Sequence, residues 1–244
     1  NVTVIGDPSY LYVDKGADID PFVVCDCSSG PIVIQKGVKI ASFTRIEGPC
    51  AIGENTQVTG AKIRQGCSFG PQCRIGGEVE ESIFQGYVNK YHDGFIGHSL
   101  IGEWVNLGAL TSNSDLKNTY TPVKVTLGDK RVNTGMLKVG TSIGDFSMTS
   151  IGTLINTGSI LGTGSMIVHG GSLTPDFVPP FTWYLNNTLT ETPRFEKFIE
   201  TCRLMTSRRG VPFTSNYEKM LGSLRETTAV TRGKAIERWN SRLK

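Results

Sequence analysis

The sequence predicts an all-β fold, a parallel β-helix of six-residue repeats, followed by an α-helical extension. Three observations carry this prediction. Apolar residues recur six apart, with a single one-residue slip in the first stretch and one missing step in the second: Ile34, Ile40, Ile46, Ile52, Val58, Ile63, Phe69 and Ile75, then Ile143, Ile155, Leu161, Ile167 and Leu173. Small residues stand four positions after many apolar ones: Thr44, Cys50, Thr56, Cys67, Cys73, Ser147, Thr153, Ser159 and Ser165. Glycine often follows the apolar residue directly, as at Gly53, Gly70 and Gly102.

A period of six fits neither an α-helix nor a single strand. Each hexad supplies one short strand and one corner, three hexads close a triangular coil, and successive coils stack. Both repeated positions are expected to point inward, and small residues suit the corners. Residues 11–111 would form five or six coils and residues 139–178 two more, in a domain over 1–180. Between them, residues 112–138 break the hexads, and two short β-prone runs there predict a protruding loop with a strand pair.

Residues 181–244 are expected to form a helical extension. Thr192 followed by Pro193 is a typical helix start, and later apolar residues recur at helical spacing. The first helix would bury Phe195, Phe198, Ile199 and Cys202. A second from Ser215 would bury Tyr217, Met220, Leu221 and Leu224, and a third would bury Ala235, Ile236, Trp239 and Leu243. Such apolar stripes must be covered, so the helices are expected to pack on the β-helix or on a neighbouring subunit.

Composition excludes several classes of protein. The chain has 244 residues, 38% hydrophobic and 19% charged, with a net charge of +3 and no apolar run long enough to span a membrane, so neither disorder nor a membrane partner is expected. Residues 192–244 hold 12 Lys/Arg against 5 Asp/Glu, or +7, which leaves 13 against 17, or −4, in residues 1–191. Because basic residues spread over helices usually form a solvated face, no nucleic-acid partner is expected.

The cysteines predict a reducing compartment. They include no C-x-x-C pair and no histidine at zinc-finger spacing, and no signal peptide is visible, which together predict reduced thiols, a cytoplasmic location and no structural metal. Cys50, Cys67 and Cys73 fall in the small inward position and should pack as compact hydrophobes. The chain opens with the strand-like residues 1–5 and without an initiator Met, which suggests a longer polypeptide.

Histidines are the best candidates for chemistry. His92 and His98 stand one hexad apart and are expected at similar height on adjacent faces, whereas His169 is expected to be solvated. An imidazole that titrates near neutrality can accept a proton from an attacking amine, so His92 beside Lys90 would suit acyl transfer to a phosphorylated substrate. A hydrogen-bonded histidine in the wall remains the alternative.

A more specific signal lies in residues 90–109. Lys90-Tyr91-His92 is followed by Phe95-Ile96-Gly97, Ile101-Gly102 and Val105-Asn106-Leu107-Gly108-Ala109. This series resembles the acetyltransferase half of the bifunctional N-acetylglucosamine-1-phosphate uridyltransferase/glucosamine-1-phosphate acetyltransferases. It is more similar still to archaeal and related bacterial sugar-phosphate nucleotidyltransferases with a C-terminal β-helix. The resemblance spans residues 10–178 and implies a left-handed β-helix, a catalytic base at His92 and a substrate-orienting amide at Asn106.

The resemblance also implies the remaining site residues. Residues 70–74 resemble the family's Gly-Pro-x-Ala-Arg, which makes Arg74 a ligand of the sugar phosphate, with Lys90 as the candidate second phosphate ligand. Phe95 stands where the family has Tyr, so it would supply packing without the hydroxyl, at a cost of about 0.5–1.5 kcal/mol. Leu110 replaces the second Gly of Gly-Ala-Gly-Thr and would narrow the slot for acetyl-CoA. Contacts to acetyl-CoA are implied at four positions: Asn113, Asp115, Ser150 and Thr163.

The leading hypothesis is a homotrimeric N-acetyltransferase module that uses acetyl-CoA and acts on glucosamine-1-phosphate or a close amino-sugar phosphate. The family's nucleotide motif is not found in this chain, so neither uridylyl transfer nor a magnesium site is expected. The alternative, favoured by Phe95, Leu110 and the tail, is a non-catalytic β-helix that trimerises and regulates a nucleotidyltransferase. A third possibility is a γ-class carbonic anhydrase, which shares the fold and needs three zinc-binding histidines. The sequence has three, but His169 is expected to lie too far along the axis from the other two.

Overall fold

Parallel strands stack along three faces of a β-helix. The computed structural model describes residues 2–168 and 171–243, so Asn1, His169 and the side chain of Leu243 lie outside the described residues. The first face consists of β3 (Asp18–Ile19), β6 (Lys39–Ile40), β9 (Gln57–Ile63), β11 (Arg74–Glu80), β13 (Asn89–Lys90), β16 (Asn106–Leu107), β21 (Met148–Thr149), β24 (Met166–Val168) and β26 (Thr182–Leu185). The antiparallel strand β27 (Thr188–Glu191) closes this face.

The other two faces have the same parallel order. Strands β9 and β11 bend, so that their second halves join the second face. The second face also contains β1 (Thr3–Ile5), β4 (Val24–Asp26), β7 (Arg45–Glu47), β14 (Phe95–Gly97), β17 (Ser112–Asn113) and β22 (Leu154–Ile155). The third face contains nine strands: β2 (Leu11–Val13), β5 (Ile32–Ile34), β8 (Cys50–Ile52), β10 (Cys67–Phe69), β12 (Ile83–Phe84), β15 (Leu100–Ile101), β20 (Ser142–Ile143), β23 (Ile160–Leu161) and β25 (Phe177–Val178).

The six-residue period fills the axis of the coil as predicted. The apolar positions of the repeat are buried, with the exception of Leu173, which is about half exposed. All nine of the predicted small residues are also buried. Several of their hydroxyls satisfy corner carbonyls: Thr56 Oγ1 donates to Gly70 O at 3.0 Å and Ser147 Oγ donates to Gly162 O at 2.8 Å. Small polar residues therefore satisfy backbone carbonyls at the places where the coil turns from one face to the next.

Three corners join the faces, and each holds residues with positive φ. We name the one between the first and second faces the His92 corner; it includes Phe22, Phe43 and Leu110. The one between the second and third faces, with Glu81 and His98, is the His98 corner. The one between the third and first faces is the aromatic corner, whose left-handed residues include Tyr87, Trp104, Phe146 and Phe181.

The predicted excursion from the coil contains a β-hairpin, as expected. Strands β18 (Lys124–Leu127) and β19 (Lys130–Asn133) pair antiparallel. The two-residue turn between them begins at Gly128 with a φ of 61°, a conformation that suits a glycine-first hairpin turn. The sequence prediction of a strand pair between residues 112 and 138 is therefore correct.

The tail contains three helices, α1 (Phe195–Ser207), α2 (Ser215–Thr227) and α3 (Ala229–Asn240), which pack on the same chain's β-helix. The predicted start at Thr192 is wrong: Thr192 N donates to Phe181 O, which continues the sheet, and α1 begins three residues later. Because β26 and β27 belong to the first face, the sheet extends past the predicted domain boundary at residue 180. Met220, predicted as buried, is about half exposed. Within the described ranges, no helix is long and apolar enough to cross a membrane.

Candidate active site

Outward side chains on the first face form a polar row. The strand register stacks Gln57, Arg74, Asn89 and Asn106 in successive coils, because each occupies the same position in its strand, and Met148 ends the row. Arg74 Nη1 donates to Gln57 Oε1, and Asn89 Nδ2 donates to Asn106 Oδ1 at 2.6 Å. Two of the sequence-predicted substrate residues, Arg74 and Asn106, are thus brought into one row.

His92 lies at the edge of this row. It is the second residue after β13 and is exposed at the His92 corner. The Tyr91 ring links it to Arg74, since the Arg74 guanidinium lies 6.0 Å from the Tyr91 ring centroid and the Tyr91 and His92 ring centroids are 5.8 Å apart. An exposed imidazole within two aromatic contacts of an arginine can serve as a base next to a bound anion.

Lys90 does not lie where a phosphate ligand would need it. Its side chain occupies the inward position of β13, between Ile75 and Leu107 of the neighbouring coils, and the residue is only 2% exposed. The ammonium donates to Gly76 O at 2.7 Å and to His92 O at 3.0 Å. Burial lowers the pKa of Lys90 to about 8. The structure therefore gives Lys90 a different role from the one the sequence implied: it holds the backbone of His92.

The acetyl-CoA residues implied by the resemblance do not form one site within this chain. The buried Asn113 uses its amide on the backbone of Gly97, accepting from Gly97 N at 2.8 Å and donating to Gly97 O at 3.0 Å. Ser150 lies at the His92 corner, two coils beyond His92 by the strand register. Thr163 follows β23 and therefore lies at the aromatic corner, on the far side of the first face.

The two departures from the family pattern lie near His92. Phe95 begins β14 and its backbone N donates to Ser112 Oγ at 3.1 Å. Leu110 N donates to Asp93 O at 2.7 Å, so Leu110 sits over the corner that follows His92. Its φ is 64° and it is 60% exposed, which explains why glycine suits this position better.

Asp115 belongs to a separate charged cluster at the His98 corner. His98, with a side chain 12% exposed, has Nδ1 3.1 Å from Glu81 Oε2 and Nε2 3.3 Å from Asp115 Oδ2. In the described part of the chain, one group of side chains has a spacing that could hold a metal ion: Glu80, Glu81 and His98. Lys138 Nζ lies 3.6 Å from Glu80 Oε1 and neutralises part of this charge. With one histidine, the group lacks the three-histidine set of a γ-class carbonic anhydrase.

The polar row continues into a groove that the sequence analysis missed. The groove has a volume of about 350 Å³ and lies between the first face and the C-terminal end of α1. Arg74, Asn89 and Asn106 line one side, and Arg208 and Arg209 line the other. Stacking the outward residues by register would have found Gln57 and Asn89, whereas the tail arginines carry no comparable repeat signal.

Comparisons with known proteins support the family resemblance predicted from the motifs. No family model matches the chain. It is 29% identical over 138 residues to the bifunctional protein GlmU of Rippkaea orientalis, covering 47% of this chain and 30% of that protein. It is 32% identical over 99 residues to a bifunctional sugar-1-phosphate nucleotidylyltransferase/acetyltransferase of Sulfurisphaera tokodaii, covering 41% of this chain and 25% of that protein. The chain therefore spans a quarter to a third of the length of these relatives.

Among solved structures, a Francisella novicida UDP-N-acetylglucosamine acyltransferase matches 91% of this chain and 87% of its own, at 14% identity and a TM-score of 0.41. The sequence similarities above confirm the predicted resemblance to the GlmU-type acetyltransferase domain. The predicted fold class, a parallel β-helix with C-terminal helices, is also confirmed.

Proposed function

We propose that this chain transfers acetyl from acetyl-CoA to the amine of glucosamine-1-phosphate or a closely related amino-sugar phosphate. The observation that carries the proposal is the exposed His92 imidazole linked to Arg74 through the Tyr91 ring, at the edge of a polar row. The similarity to GlmU-type proteins supports the same reaction. The acceptor amine attacks the thioester carbonyl, a nitrogen–carbon bond forms, the carbon–sulfur bond breaks, and coenzyme A leaves as the thiol.

His92 accepts the proton that the amine loses during attack and returns it to the departing sulfur. Arg74 binds the sugar phosphate by a charge-assisted hydrogen bond, and Asn106 orients the sugar. Lys90 acts as a positioning residue, because its ammonium fixes the carbonyl of His92 from inside the coil. Acetyl-CoA enters as a cosubstrate; its contacts at Asn113, Asp115, Ser150 and Thr163 remain predictions, of which Ser150 shares the corner with His92.

We further propose that three copies assemble through the β-helix, with the acceptor bound at a groove between neighbours. A cytoplasmic location stays a prediction, and it agrees with six free, buried cysteines. Burial raises the pKa of each of the inward thiols Cys50, Cys67 and Cys73, as expected for compact hydrophobes in the wall.

The test is release of free thiol from acetyl-CoA in the presence of glucosamine-1-phosphate. Replacing His92 by Asn is expected to lower kcat about 100-fold or more, since a general base typically contributes that much. His169→Asn, which removes a histidine to which no role is assigned, is the matched control and should keep the wild-type rate. Equal rates in wild-type protein and His92→Asn would contradict the mechanism.

The alternative is a non-catalytic β-helix, and Leu110 is the observation that favours it. A leucine exposed over the His92 corner reduces the space for a thioester next to the imidazole. A folded trimer that binds no coenzyme A and releases no thiol with any amino-sugar phosphate would support this structural role.

A further inference from the structure

Three arginines converge on the groove at the end of α1 without a carboxylate partner. Arg74 comes from the β-helix, and Arg208 and Arg209 come from the end of α1 and the residues after it. Seven other arginines form ion pairs with Asp or Glu: Arg45, Arg64, Arg131, Arg203, Arg225, Arg232 and Arg238. Among the described residues, the three groove arginines have no such pair, and none of the residues that line the groove is acidic.

The like charges are held close together. Arg209 is half-buried and its Nη1 donates to Gln72 O at 2.9 Å, which anchors the tail to the wall of the β-helix. Burial lowers the pKa of Arg209, and the neighbouring charges of Arg74 and Arg208 lower it further. Such mutual repulsion is unfavourable in the unliganded protein and is relieved when an anion enters.

The rest of the groove has the chemistry of a ligand site. Asn89 and Asn106 supply amide groups beside Arg74. Trp104 stacks on Tyr87 with ring centroids 4.1 Å apart and forms the end of the groove at the aromatic corner. A guanidinium presents paired donors that match phosphate oxygens, so several of them around one cavity favour a phosphate over a monovalent carboxylate.

We propose that Arg208 and Arg209 complete, together with Arg74, a binding site for the phosphate group of a ligand on the first face. The tail thereby becomes part of the ligand site. The identity of the ligand rests on the proposed function, which offers two sources of the phosphate: the amino-sugar phosphate acceptor and coenzyme A. The site itself rests on the groove and its unpaired charges.

Calorimetric titration of the full chain tests this proposal without turnover. The probes are glucosamine-1-phosphate and coenzyme A, each compared with its phosphate-free counterpart, glucosamine or pantetheine. Arg208→Gln is the primary variant, because Arg208 is exposed and its side chain makes no hydrogen bond within the described residues. Loss of one charge-assisted contact is expected to weaken the phosphate-bearing ligand about 10-fold to 100-fold.

Arg242→Gln is the matched control, since it removes the same charge from an exposed position of the tail that does not line the groove. It should leave both affinities unchanged. The probe whose affinity falls in Arg208→Gln identifies the source of the phosphate, and glucosamine and pantetheine should be insensitive to either variant. Arg209→Lys retains the charge and should bind the phosphate-bearing probe more tightly than Arg209→Gln does.

The proposal is overturned if wild-type protein binds neither probe, or if Arg208→Gln binds both as tightly as wild type. It is also overturned if Arg242→Gln weakens binding equally, because the effect would then be net charge alone. These outcomes are separate from the fate of the acetyl-transfer hypothesis: a chain without thiol release can still show the Arg208-dependent titration, and an active enzyme can lack it.

Discussion

Two corners of the β-helix hold aromatic residues on left-handed backbone, and they differ in what covers them. At the His92 corner, Phe22 and Phe43 stack with ring centroids 5.8 Å apart but are 62% and 78% exposed. At the aromatic corner, Trp104 and Phe146 stack in the same way and are fully buried. Their φ values lie between 57° and 66°, so the backbone is equivalent in the two places.

The difference arises from the helical tail. Phe146 packs against Phe213 and Tyr217, and Phe181 packs against Phe195 and Phe198. A non-glycine residue in this conformation costs about 1 kcal/mol or more. Full burial of a phenylalanine stabilises by about 1.5–3 kcal/mol, which offsets the strain at the covered corner. At the His92 corner no described element covers the rings, so the strain there is offset only by stacking.

The largest expected effect is therefore at Phe146. Replacing Phe146 by Ala should lower the free energy of unfolding by about 3–5 kcal/mol, because it removes the centre of the contact between tail and β-helix. Phe43→Ala makes the same chemical change on equivalent backbone and should cost less than about 1 kcal/mol. Urea denaturation of both variants measures the comparison. Equal losses would mean that the tail does not stabilise the β-helix through these rings.

The second largest effect is expected at Lys90, a charged side chain that is buried, whereas most of the other described lysines are exposed. Lys90 is buried and has its pKa lowered to about 8, whereas a lysine in the unfolded chain titrates at 10.5. Between these pH values the unfolded chain binds a proton that the folded chain does not, so the free energy of unfolding contributed by Lys90 rises with pH. The rise is on the order of 3 kcal/mol between pH 8 and pH 10.5.

Denaturation of wild-type protein and Lys90→Met at pH 7, 8, 9 and 10.5 tests this expectation, because the difference between them cancels the cysteines and tyrosines. The free energy of unfolding of Lys90→Met should exceed that of wild type by the largest amount at pH 7, and this difference should shrink as the pH rises. Lys39→Met removes a lysine from an exposed position of the same face and should show a flat difference, within about 0.5 kcal/mol. If the difference in the free energy of unfolding between Lys90→Met and wild type were also independent of pH, the ammonium of Lys90 would have to be in contact with water.

The sequence predicts the coil well because the coil is periodic. Each inward position repeats the same environment, so residues such as Ile75 and Thr56 could be assigned to the interior from spacing alone. The resemblance implies that Arg74, Asn106 and His92 belong to one site, and the strand register brings Arg74 and Asn106 into one row with His92 at its edge. The same spacing puts Lys90 in the interior, where the structure has it, but the resemblance and the charge of the lysine lead instead to the expectation of a phosphate ligand.

The tail was harder to predict because nothing in it repeats. Its helices follow from apolar spacing, but the register of the last strands overrode the Thr192–Pro193 start. The position of Arg208 and Arg209 against Arg74 depends on contacts between residues more than 130 apart in the chain, such as Arg209 with Gln72. No local pattern encodes such a contact, and for this reason the groove appears only in three dimensions.

The smallest effect is expected at Leu110, in the His92 corner that no described element covers. Leu110 has a φ of 64° and no packing that would offset its strain. Leu110→Gly should raise the free energy of unfolding by roughly 0.5 kcal/mol, because glycine adopts positive φ without a steric cost and this gain exceeds its entropic penalty. Ala109→Gly, one residue earlier and without a positive φ, should instead lower stability by about 0.5–1 kcal/mol.

Thermal and urea denaturation should show a gain of stability for Leu110→Gly and a loss of stability for Ala109→Gly. A loss of stability in both variants would mean that Leu110 packs on a surface outside the monomer, such as a second copy of the chain. The same Leu110→Gly protein, assayed for thiol release, should have a lower KM for acetyl-CoA if the leucine narrows the approach to His92. An unchanged KM would leave the strain argument intact and remove Leu110 as an obstacle to the thioester.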